Sequence, residues 1–544
     1  MAPVRQVLAL VAAMGAIAVG GRGAPPITSR TTPGRRPNIL FVLTDDLDQA
    51  EMRDLPHVGQ LVGRPGATFD DYFVSNSLCC PSRVTTLRGQ YAHNTGVWSN
   101  GGTNGGFEVA YTEGLERDTV ATRLAARGYR TLLAGKYLNG YPNLAGAEYR
   151  PAGWTAWASP VGGNPYGEYD YELNNNGRLE DYGHRPRDYG TAVYVRRTER
   201  FVRDAVRGHR PFFAYLAVYA PHQPATPAPR DMRKFPHAHA PRNAAFNQRD
   251  VSKMPGFVRD LPRFNTGEKA AIDELYRDRI RSLQAVDRGV ASLVHTLRVA
   301  GQLDNTYVVF TSDNGFHLGE HRMPAGKQTA YDTDIHVPLE IRGPGIAPGS
   351  HVRDLTGNVD LAPTFEAMAG ARTPTFVDGR SLLGLARHSP GAGRHWRDSY
   401  LVEHRDEDRA AGIAPPRART LPLEPPDPDQ GGEPRLVRAP RHRSRPWPRA
   451  KGHLLEPRDE GALRRHAPIP DYDAVRTSRD LYVEYADGER ELYDTHADPG
   501  EIHNLAGTRP RLEHALARRV AALRRCRAEA CRAAESAPLP ADQR

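Results

Sequence analysis

Long apolar runs are almost absent from this chain of 544 residues. The one prolonged run extends from Val7 to Val19, after Arg5 and before a Gly-rich stretch at 20–24. It is too short for a membrane span, and its layout is that of a secretory signal, so we expect a signal segment at 1–24, export and no stable membrane insertion. Arg22 lies close to the expected cleavage point, which leaves an uncleaved N-terminal tether as the alternative.

Cysteine is scarce as well, with four residues in the whole chain. Cys79 and Cys80 are adjacent, while Cys526 and Cys531 lie near the C-terminus. In an exported protein the second pair predicts one local disulfide; the alternative is two free thiols on a C-terminal helix.

The chain also lacks the motifs of nucleic-acid binding. Its net charge is +9, but no basic helix, zinc finger or sheet with interleaved aromatic residues accompanies that charge. We therefore expect no nucleic-acid partner. The excess of arginine indicates a solvated surface or a general attraction for anionic substrates.

What the chain does have is a repeated strand-then-helix pattern from residue 36 to about 390, which predicts an α/β fold with a mainly parallel sheet. Continuous apolar runs predict buried strands, and apolar residues three to four apart predict helices. The predicted strands are 38–44, 130–134, 212–218 and 306–311, and the predicted helices include 118–127 and 271–299.

The pattern stops at residues 405–470, where Pro, Arg, Asp and Glu crowd together. This composition predicts a disordered or loop insertion, with polyanion binding as the alternative. Beyond it, an alternating strand at 481–485, an Asp-Gly turn and a strand at 491–493 predict a hairpin. A final helix is expected over 510–532. We therefore divide the chain into an α/β domain at 36–404, the insertion at 405–470 and a C-terminal subdomain at 471–535.

Polar residues follow two of the predicted strands. Asp45 and Asp46 end the first strand, and Asp313 and Asn314 end the strand near 310. Open α/β sheets place their functional groups at the carboxyl ends of strands, and three carboxylates plus an amide suit a hard cation such as Ca²⁺ or Mg²⁺. Alone, the first pair is more often a helix cap and the second more often a turn; together they predict a metal site.

The run Cys79-Cys80-Pro81-Ser82-Arg83 is the most distinctive motif of the chain. Pro81 is suited to the start of a helix, because its missing N–H is one that the first turn leaves unpaired. Residue 79 is therefore expected at a helix N-terminus, which favours an anion. The alternative is a structural cysteine pair.

With Leu87-Arg88-Gly89 after it, this run resembles the signature of the type I sulfatases, a family of the alkaline-phosphatase-like superfamily. In type I sulfatases the first cysteine of the signature is oxidised to formylglycine. The resemblance implies that a formylglycine-generating enzyme converts Cys79, which also supplies an oxygen to the metal. It implies a large sheet flanked by helices with a small C-terminal antiparallel sheet and helix. Asn314 stands where phosphonate hydrolases resembling this motif have histidine, which favours one Ca²⁺, with Mg²⁺ second, and a sulfate ester.

Three further segments resemble sulfatase segments, those containing Lys136, His222 and Lys327. In the family the lysines grip the sulfate and the histidine lies by the leaving oxygen, while Arg83 is suited to holding the nucleophile and the metal ligands in register. Many members have a histidine where this chain has Leu138. That histidine is thought to help expel sulfate, so His93 and Asn139 are weak candidates for the same step.

The Lys-Tyr-Leu-Asn version at 136–139 and the stretch 91–94 resemble the N-acetylglucosamine-6-sulfatase and arylsulfatase branch. We therefore expect a secreted sulfatase that hydrolyses a sulfate monoester of an aryl compound or a carbohydrate, with a sulfated small molecule or glycan as its partner. One alternative is a phosphodiesterase or phosphonate monoester hydrolase of the same superfamily. The other is a non-catalytic protein that binds sulfated glycans and keeps Cys79 as a thiol.

Overall fold

The structure is a computed structural model that describes residues 36–394, 396–406 and 469–539. The predicted signal segment at 1–24 and nearly all of the predicted insertion at 405–470 lie outside the described residues. No helix within these described ranges is both long and apolar enough to cross a bilayer.

The described strands form sheets of ten, four and two strands. In chain order they are β1 (Asn38–Asp45), β2 (Ala67–Phe69), β3 (Tyr72–Phe73), β4 (Arg130–Gly135), β5 (Ala156–Gly163), β6 (Tyr171–Asn175), β7 (Arg178–Tyr182), β8 (Phe212–Pro221), β9 (Thr306–Ser312), β10 (Leu339–Arg342), β11 (Ser350–Val352), β12 (Thr356–Gly357), β13 (Tyr400–His404), β14 (Tyr472–Arg476), β15 (Asp480–Tyr485) and β16 (Arg490–Asp494).

The α-helices of the described residues lie between these strands and after the last of them. They are α1 (Pro56–Val58), α2 (Cys79–Arg88), α3 (Ala92–Thr95), α4 (Gly106–Thr112), α5 (Val120–Ala126), α6 (Gly190–Arg207), α7 (Gly256–Arg259), α8 (Thr266–Val299), α9 (Asp332–Ile335), α10 (Leu361–Ala369), α11 (Leu383–Ala386), α12 (Pro510–Leu523) and α13 (Glu529–Ser536).

The ten-stranded sheet has the order β11-β2-β10-β9-β1-β8-β4-β5-β6-β7. Its centre, from β9 to β5, is parallel, whereas β10 and the β6–β7 pair run antiparallel at the two flanks. Every residue of β1 is buried, and alternate residues enter two different hydrophobic clusters, one on each face of the sheet. Two covered faces explain why β1 is a continuous apolar run, and the predicted α/β fold is confirmed.

The predicted helix at 271–299 is α8, which begins five residues earlier than expected. The cause is a capping box: the Asn265 side chain accepts a hydrogen bond from the Glu268 N–H at 3.0 Å, and the Glu268 carboxylate accepts one from the Asn265 N–H at 2.7 Å. The amphipathic pattern revealed the buried face of the helix but not this polar first turn.

The smaller antiparallel sheet has four strands in the order β13-β14-β15-β16, of which β15 and β16 are the predicted hairpin. Strand β13 precedes the Pro- and Arg-rich stretch and β14 follows it, yet the two are hydrogen-bonded neighbours, with His404 opposite Tyr472. The described residues on the two sides of the predicted insertion are therefore neighbours in one antiparallel sheet.

The prediction of one continuous helix over 510–532 is wrong. Helix α12 ends at Leu523 and α13 begins at Glu529, with Ala528 at φ 52° between them. The expected Cys526–Cys531 disulfide is present, with 4.8 Å between the two Cα atoms. A continuous helix would separate these atoms by about 7.5 Å along its axis, beyond the usual reach of a disulfide. The bridge and an unbroken helix are mutually exclusive.

Candidate active site

Four of the five predicted metal ligands, Asp45, Asp46, Asp313 and Asn314, come together at the carboxyl ends of β1 and β9. These strands are parallel neighbours with Thr44 opposite Ser312, so the residues that follow them emerge side by side. Asp313 Oδ1 accepts a hydrogen bond from the N–H of Asp46 at 3.2 Å, and Asn314 Nδ2 donates to Asp46 Oδ1 at 2.7 Å. Asp45 is buried in the same cluster.

Asp46 has an unusual backbone conformation, with φ at +68°. Adjacent side chains of a regular strand point to opposite faces, which would separate the carboxylates of Asp45 and Asp46. The left-handed conformation breaks this alternation, so both carboxylates contribute to one site. Such a conformation costs a residue with a Cβ about 1–2 kcal/mol, so surrounding contacts must hold it.

Cys79 is the first residue of α2, and Pro81 lies in the first turn as expected. The Cys79 Sγ lies 2.9 Å from Lys327 Nζ and 3.4 Å from Asp45 Oδ1. Burial raises the pKa of the thiol well above its ordinary value, and Asp45 adds to the rise. The unmodified thiol is therefore protonated at neutral pH and a poor nucleophile.

Sequence analysis did not identify Asn100, whose Oδ1 accepts the N–H of Cys80 at 2.9 Å. This contact satisfies one of the free amide groups at the start of α2. Asn100 lies in a Gly-rich loop, and nothing in its local sequence indicates a capping role.

Arg83 and Lys136 bring positive charge to the acidic cluster. The Lys136 Nζ lies 2.7 Å from Asp45 Oδ2, and the Arg83 Nε donates to Asp313 Oδ2 at 2.8 Å. Arg83 Nη1 also donates to the Lys136 carbonyl oxygen at 2.9 Å, which ties the end of β4 to the end of β9. Burial alone would raise the pKa of Asp45, but Lys136 and Arg83 outweigh it and hold that pKa far below its usual range.

The cluster has the features of a site for a hard cation. The Asn314 Oδ1 is buried and accepts no hydrogen bond within the described structure. One ligand atom each of Asp45, Asp46, Cys79 and His222 lie within 4.8 Å of one another. Burial, with the neighbouring Asp45 carboxylate next, raises the pKa of Asp313 to about 6. A bound divalent cation would offset the repulsion between these carboxylates, and the donor set is rich in oxygen.

Lys327 lies in a loop that is held by a buried contact between His317 and Asp334. Asp334 accepts hydrogen bonds from the Thr329 N–H at 2.9 Å and the Thr329 hydroxyl at 2.6 Å, and its other oxygen lies 2.9 Å from His317 Nδ1. The backbone of His317 also pairs with that of Gly326, next to Lys327. Sequence analysis missed this pair, because its members are 17 residues apart and meet only in the folded loop.

His222 follows β8, with its Nδ1 2.7 Å from the Gln223 carbonyl oxygen and its Nε2 3.6 Å from Asp46 Oδ2. Since a carbonyl oxygen only accepts, Nδ1 carries a proton and Nε2 faces the cluster. The ring of Tyr166, a residue not predicted for the site, lies 4.6 Å from the His222 ring and 4.8 Å from Lys136 Nζ. The residues predicted as metal ligands, nucleophile and sulfate-binding groups thus lie in this one cluster, and so does the predicted proton donor His222.

The position of the missing family histidine is apolar, since Leu138 is buried in the core. Both ring nitrogens of His93 form contacts outside the acidic cluster. Nδ1 lies 2.9 Å from Glu403 Oε2, and Nε2 lies 2.9 Å from the Cys526 carbonyl oxygen. His93 therefore joins α3 to the C-terminal segment. Asn139 is closer to the site, with its Nδ2 3.4 Å from the Tyr166 hydroxyl.

Comparison with known proteins agrees with this geometry, because the family model for sulfatases matches residues 37–371. The chain belongs to the sulfatase family. Sulfatases hydrolyse sulfate monoesters, so the expectation of a sulfuric ester hydrolase is confirmed. N-acetylglucosamine-6-sulfatase of Homo sapiens is 37% identical over 382 residues, which are 69% of this chain and 68% of that protein. Arylsulfatase of Volvox carteri is 31% identical over 539 residues, 91% of this chain and 76% of the relative.

The solved structures include a protein in complex with its substrate D-glucosamine-2-N,6-O-disulfate, which superimposes with a TM-score of 0.66. The match covers 90% of this chain and 97% of the other at 22% identity. At that identity the likeness shows the shared fold, which supports the predicted architecture.

Proposed function

We propose that this sulfatase hydrolyses sulfate monoesters of carbohydrates, with 6-O-sulfated N-acetylglucosamine as the leading substrate and formylglycine at position 79. One observation carries the proposal: Cys79 begins a buried helix with Lys327 Nζ 2.9 Å and Asp45 Oδ1 3.4 Å from its sulfur. The substrate class rests on the N-acetylglucosamine-6-sulfatase relative and on the 136–139 and 91–94 stretches.

The surrounding residues take distinct roles in this proposal. The modified Cys79 supplies the oxygen that attacks sulfur. Lys136 and Lys327 bind and neutralise the sulfate oxygens, while Arg83 keeps the nucleophile and the carboxylates in register. In its imidazolium form His222 donates the Nε2 proton to the departing alcohol oxygen, while its Nδ1–H stays hydrogen-bonded to the Gln223 carbonyl oxygen and the ring is left neutral.

We further propose Ca²⁺ as the resident metal, held by Asp45, Asp46, Asp313 and Asn314 with an oxygen of the modified Cys79. When bound, the cation polarises the sulfate ester and stabilises the charge that develops on its oxygens. The buried, unpartnered Asn314 Oδ1 supports this ligand set. Chelation should abolish activity, and Ca²⁺ should restore it more fully than Mg²⁺.

Export and maturation belong to the same proposal. The apolar run at 7–19 has the layout of a signal, and the Cys526–Cys531 disulfide is typical of oxidising compartments. We propose that the enzyme is secreted and that a formylglycine-generating enzyme acts on Cys79 during maturation.

The adjacent cysteines provide a matched test. Enzyme produced with the converting enzyme should contain the aldehyde at residue 79, detected by mass analysis of the peptide. Cys79→Ala should be inactive, whereas Cys80→Ser should keep its aldehyde and its activity. An unmodified thiol at residue 79 in a fully active enzyme would refute the proposed nucleophile.

Substrate class is tested with equal concentrations of 6-O-sulfated N-acetylglucosamine, an aryl sulfate, an aryl phosphonate monoester and a phosphodiester. The proposal predicts the highest kcat/KM for a sulfate monoester, with the sugar sulfate above the aryl sulfate. A phosphonate or phosphodiester as the preferred substrate would instead support the alternative from the same superfamily.

A further inference from the structure

Arg279 lies on α8 behind the active site, where its side chain is completely buried. Its Nε donates to Glu51 Oε1 at 2.9 Å and its Nη2 to Glu51 Oε2 at 2.6 Å. The same Nη2 donates to the backbone carbonyl of Asp46, and Nη1 lies 3.5 Å from the carbonyl oxygen of Pro221. One guanidinium therefore contacts the segment after β1 and the residue that precedes His222.

We propose that Arg279, balanced in charge by Glu51, is a positioning residue that holds Asp46 in its metal-binding orientation. This inference rests on the proposed function, because it assigns a purpose to Arg279 only if the acidic cluster binds a cation.

The argument begins with the backbone of Asp46. Its φ of +68° is unfavourable for a residue with a Cβ, so the conformation persists only where neighbouring groups hold it. Asp313 Oδ1 accepts the Asp46 N–H, and Arg279 donates to the Asp46 carbonyl. These two contacts fix the backbone N–H and the backbone carbonyl of Asp46. Its carboxylate then points toward Cys79 and Lys327.

The ion pair with Glu51 explains how the charged guanidinium of Arg279 can be buried at this position. A lone buried guanidinium is strongly disfavoured, and a carboxylate that accepts two hydrogen bonds offsets its charge. Glu51 is itself fixed, since its N–H donates to the Asp48 side chain at 2.9 Å. The guanidinium carbon also lies 4.4 Å from the centroid of the Phe316 ring, two residues beyond Asn314.

Arginine is required because its planar group has five donors in a fixed arrangement. A lysine at 279 can keep the charge pair with Glu51, but its single nitrogen cannot also hold the Asp46 carbonyl in the same geometry. Arg279→Lys therefore separates the electrostatic role of this side chain from its positioning role.

The test compares Arg279→Lys with Arg397→Lys. Arg397 is also completely buried and ion-paired, with its Nη1 2.6 Å from Asp360 Oδ2 and its Nε 2.9 Å from Glu535 Oε2, but it contacts none of the proposed metal ligands. Calorimetry on the metal-free proteins measures the Kd for Ca²⁺, and thermal unfolding without metal measures the stability of each variant.

We expect Arg279→Lys to bind Ca²⁺ about 10- to 100-fold more weakly, as found for other residues that orient metal ligands. Arg397→Lys should lose thermal stability and keep a Kd within about twofold of the wild type, because distant sites act independently. Equal Kd values for Arg279→Lys and the wild type, or an equal loss in Arg397→Lys, would overturn the inference while leaving the proposed function intact. Wild-type enzyme that binds no Ca²⁺ would overturn both.

If Arg279→Lys does not fold, the double variant Glu51→Gln/Arg279→Met answers the same question. It removes both charges at similar volume, so no unpaired buried charge remains to unfold the chain. The same 10- to 100-fold weaker Ca²⁺ binding is expected. A folded double variant with the wild-type Kd would refute the positioning role.

Discussion

The Lys327 ammonium bridges Cys79 and Asp46, with its Nζ 2.9 Å from the cysteine sulfur and 2.7 Å from Asp46 Oδ1. The two contacts connect the site of the nucleophile with a proposed metal ligand. A buried cation at this point can neutralise a sulfate oxygen without reorganisation when substrate binds.

Replacement of Lys327 by methionine should therefore lower kcat/KM about 10²- to 10³-fold, the usual loss when one preorganised charge-stabilising donor is removed. Lys253→Met, on an exposed side chain, is the control and should leave kcat/KM unchanged. Steady-state assays with an aryl sulfate measure the effect. A Lys327→Met enzyme with nearly full activity would show that the ammonium does not stabilise the reacting group.

Tyr166 lies against both Lys136 and His222, so its ring should help to orient them. Tyr166→Leu removes the ring and its attraction for the Lys136 ammonium, which predicts a kcat/KM about tenfold lower. Tyr166→Phe keeps the ring and loses only the hydroxyl next to Asn139, so a much smaller loss is expected. Equal activities of the two variants would show that the ring itself has no influence.

The His93–Glu403 pair predicts a pH-dependent contribution to stability. Burial alone would lower the pKa of His93, but Glu403 outweighs it and raises that pKa to about 9 from the ordinary 6.5. Because the folded-state pKa is raised, the contribution is complete below about pH 6.5 and is lost as the pH rises to 9.

The Tm difference between the wild type and His93→Gln should thus be largest near pH 6 and should fall as the pH rises through about 9. His184→Gln, at an exposed histidine, is the control and should follow the wild-type curve. A Tm difference independent of pH would mean that the charge of His93 does not contribute.

Removal of the disulfide should destabilise the enzyme without impairing the chemistry. The bridge joins residues five positions apart, and the loop-closure argument gives about 2 kcal/mol for so short a loop. Cys526→Ser/Cys531→Ser should therefore have a lower Tm and an unchanged kcat/KM at 25 °C. Reductant should lower the Tm of the wild type and leave the Tm of the double variant unchanged. An equal fall in both proteins would show that loss of this disulfide is not what lowers the Tm.

Much of the fold could be predicted because its signals are local. Each of the four strands leading to the site is a buried apolar run, and strand ends of a parallel sheet gather at one edge irrespective of strand order. Asp45, Asp46, Asp313 and Asn314 could therefore be grouped before any contact was known. The disulfide could be predicted from spacing, although the break that it requires between α12 and α13 was missed.

The supporting contacts could not be predicted in this way. Arg279 and Glu51 are 228 residues apart, and neither lies in a motif. Aspartate adopts a positive φ more often than most residues, but most aspartates at strand ends are not left-handed, so the residue type alone did not predict the conformation of Asp46. Asn100 and Tyr166 lie in loops whose paths depend on the elements packed beneath them.

The amino-acid sequence by itself determined which reactive groups this enzyme contains and which strands they follow. Periodicity and motif spacing can be read in this way because they depend only on near neighbours along the chain. Only the tertiary structure decided that Lys327 lies against Cys79 and that Asp46 turns its carboxylate to the same point. Those distances arise from the packing of segments far apart in the chain, where small shifts of many side chains set the position of one atom.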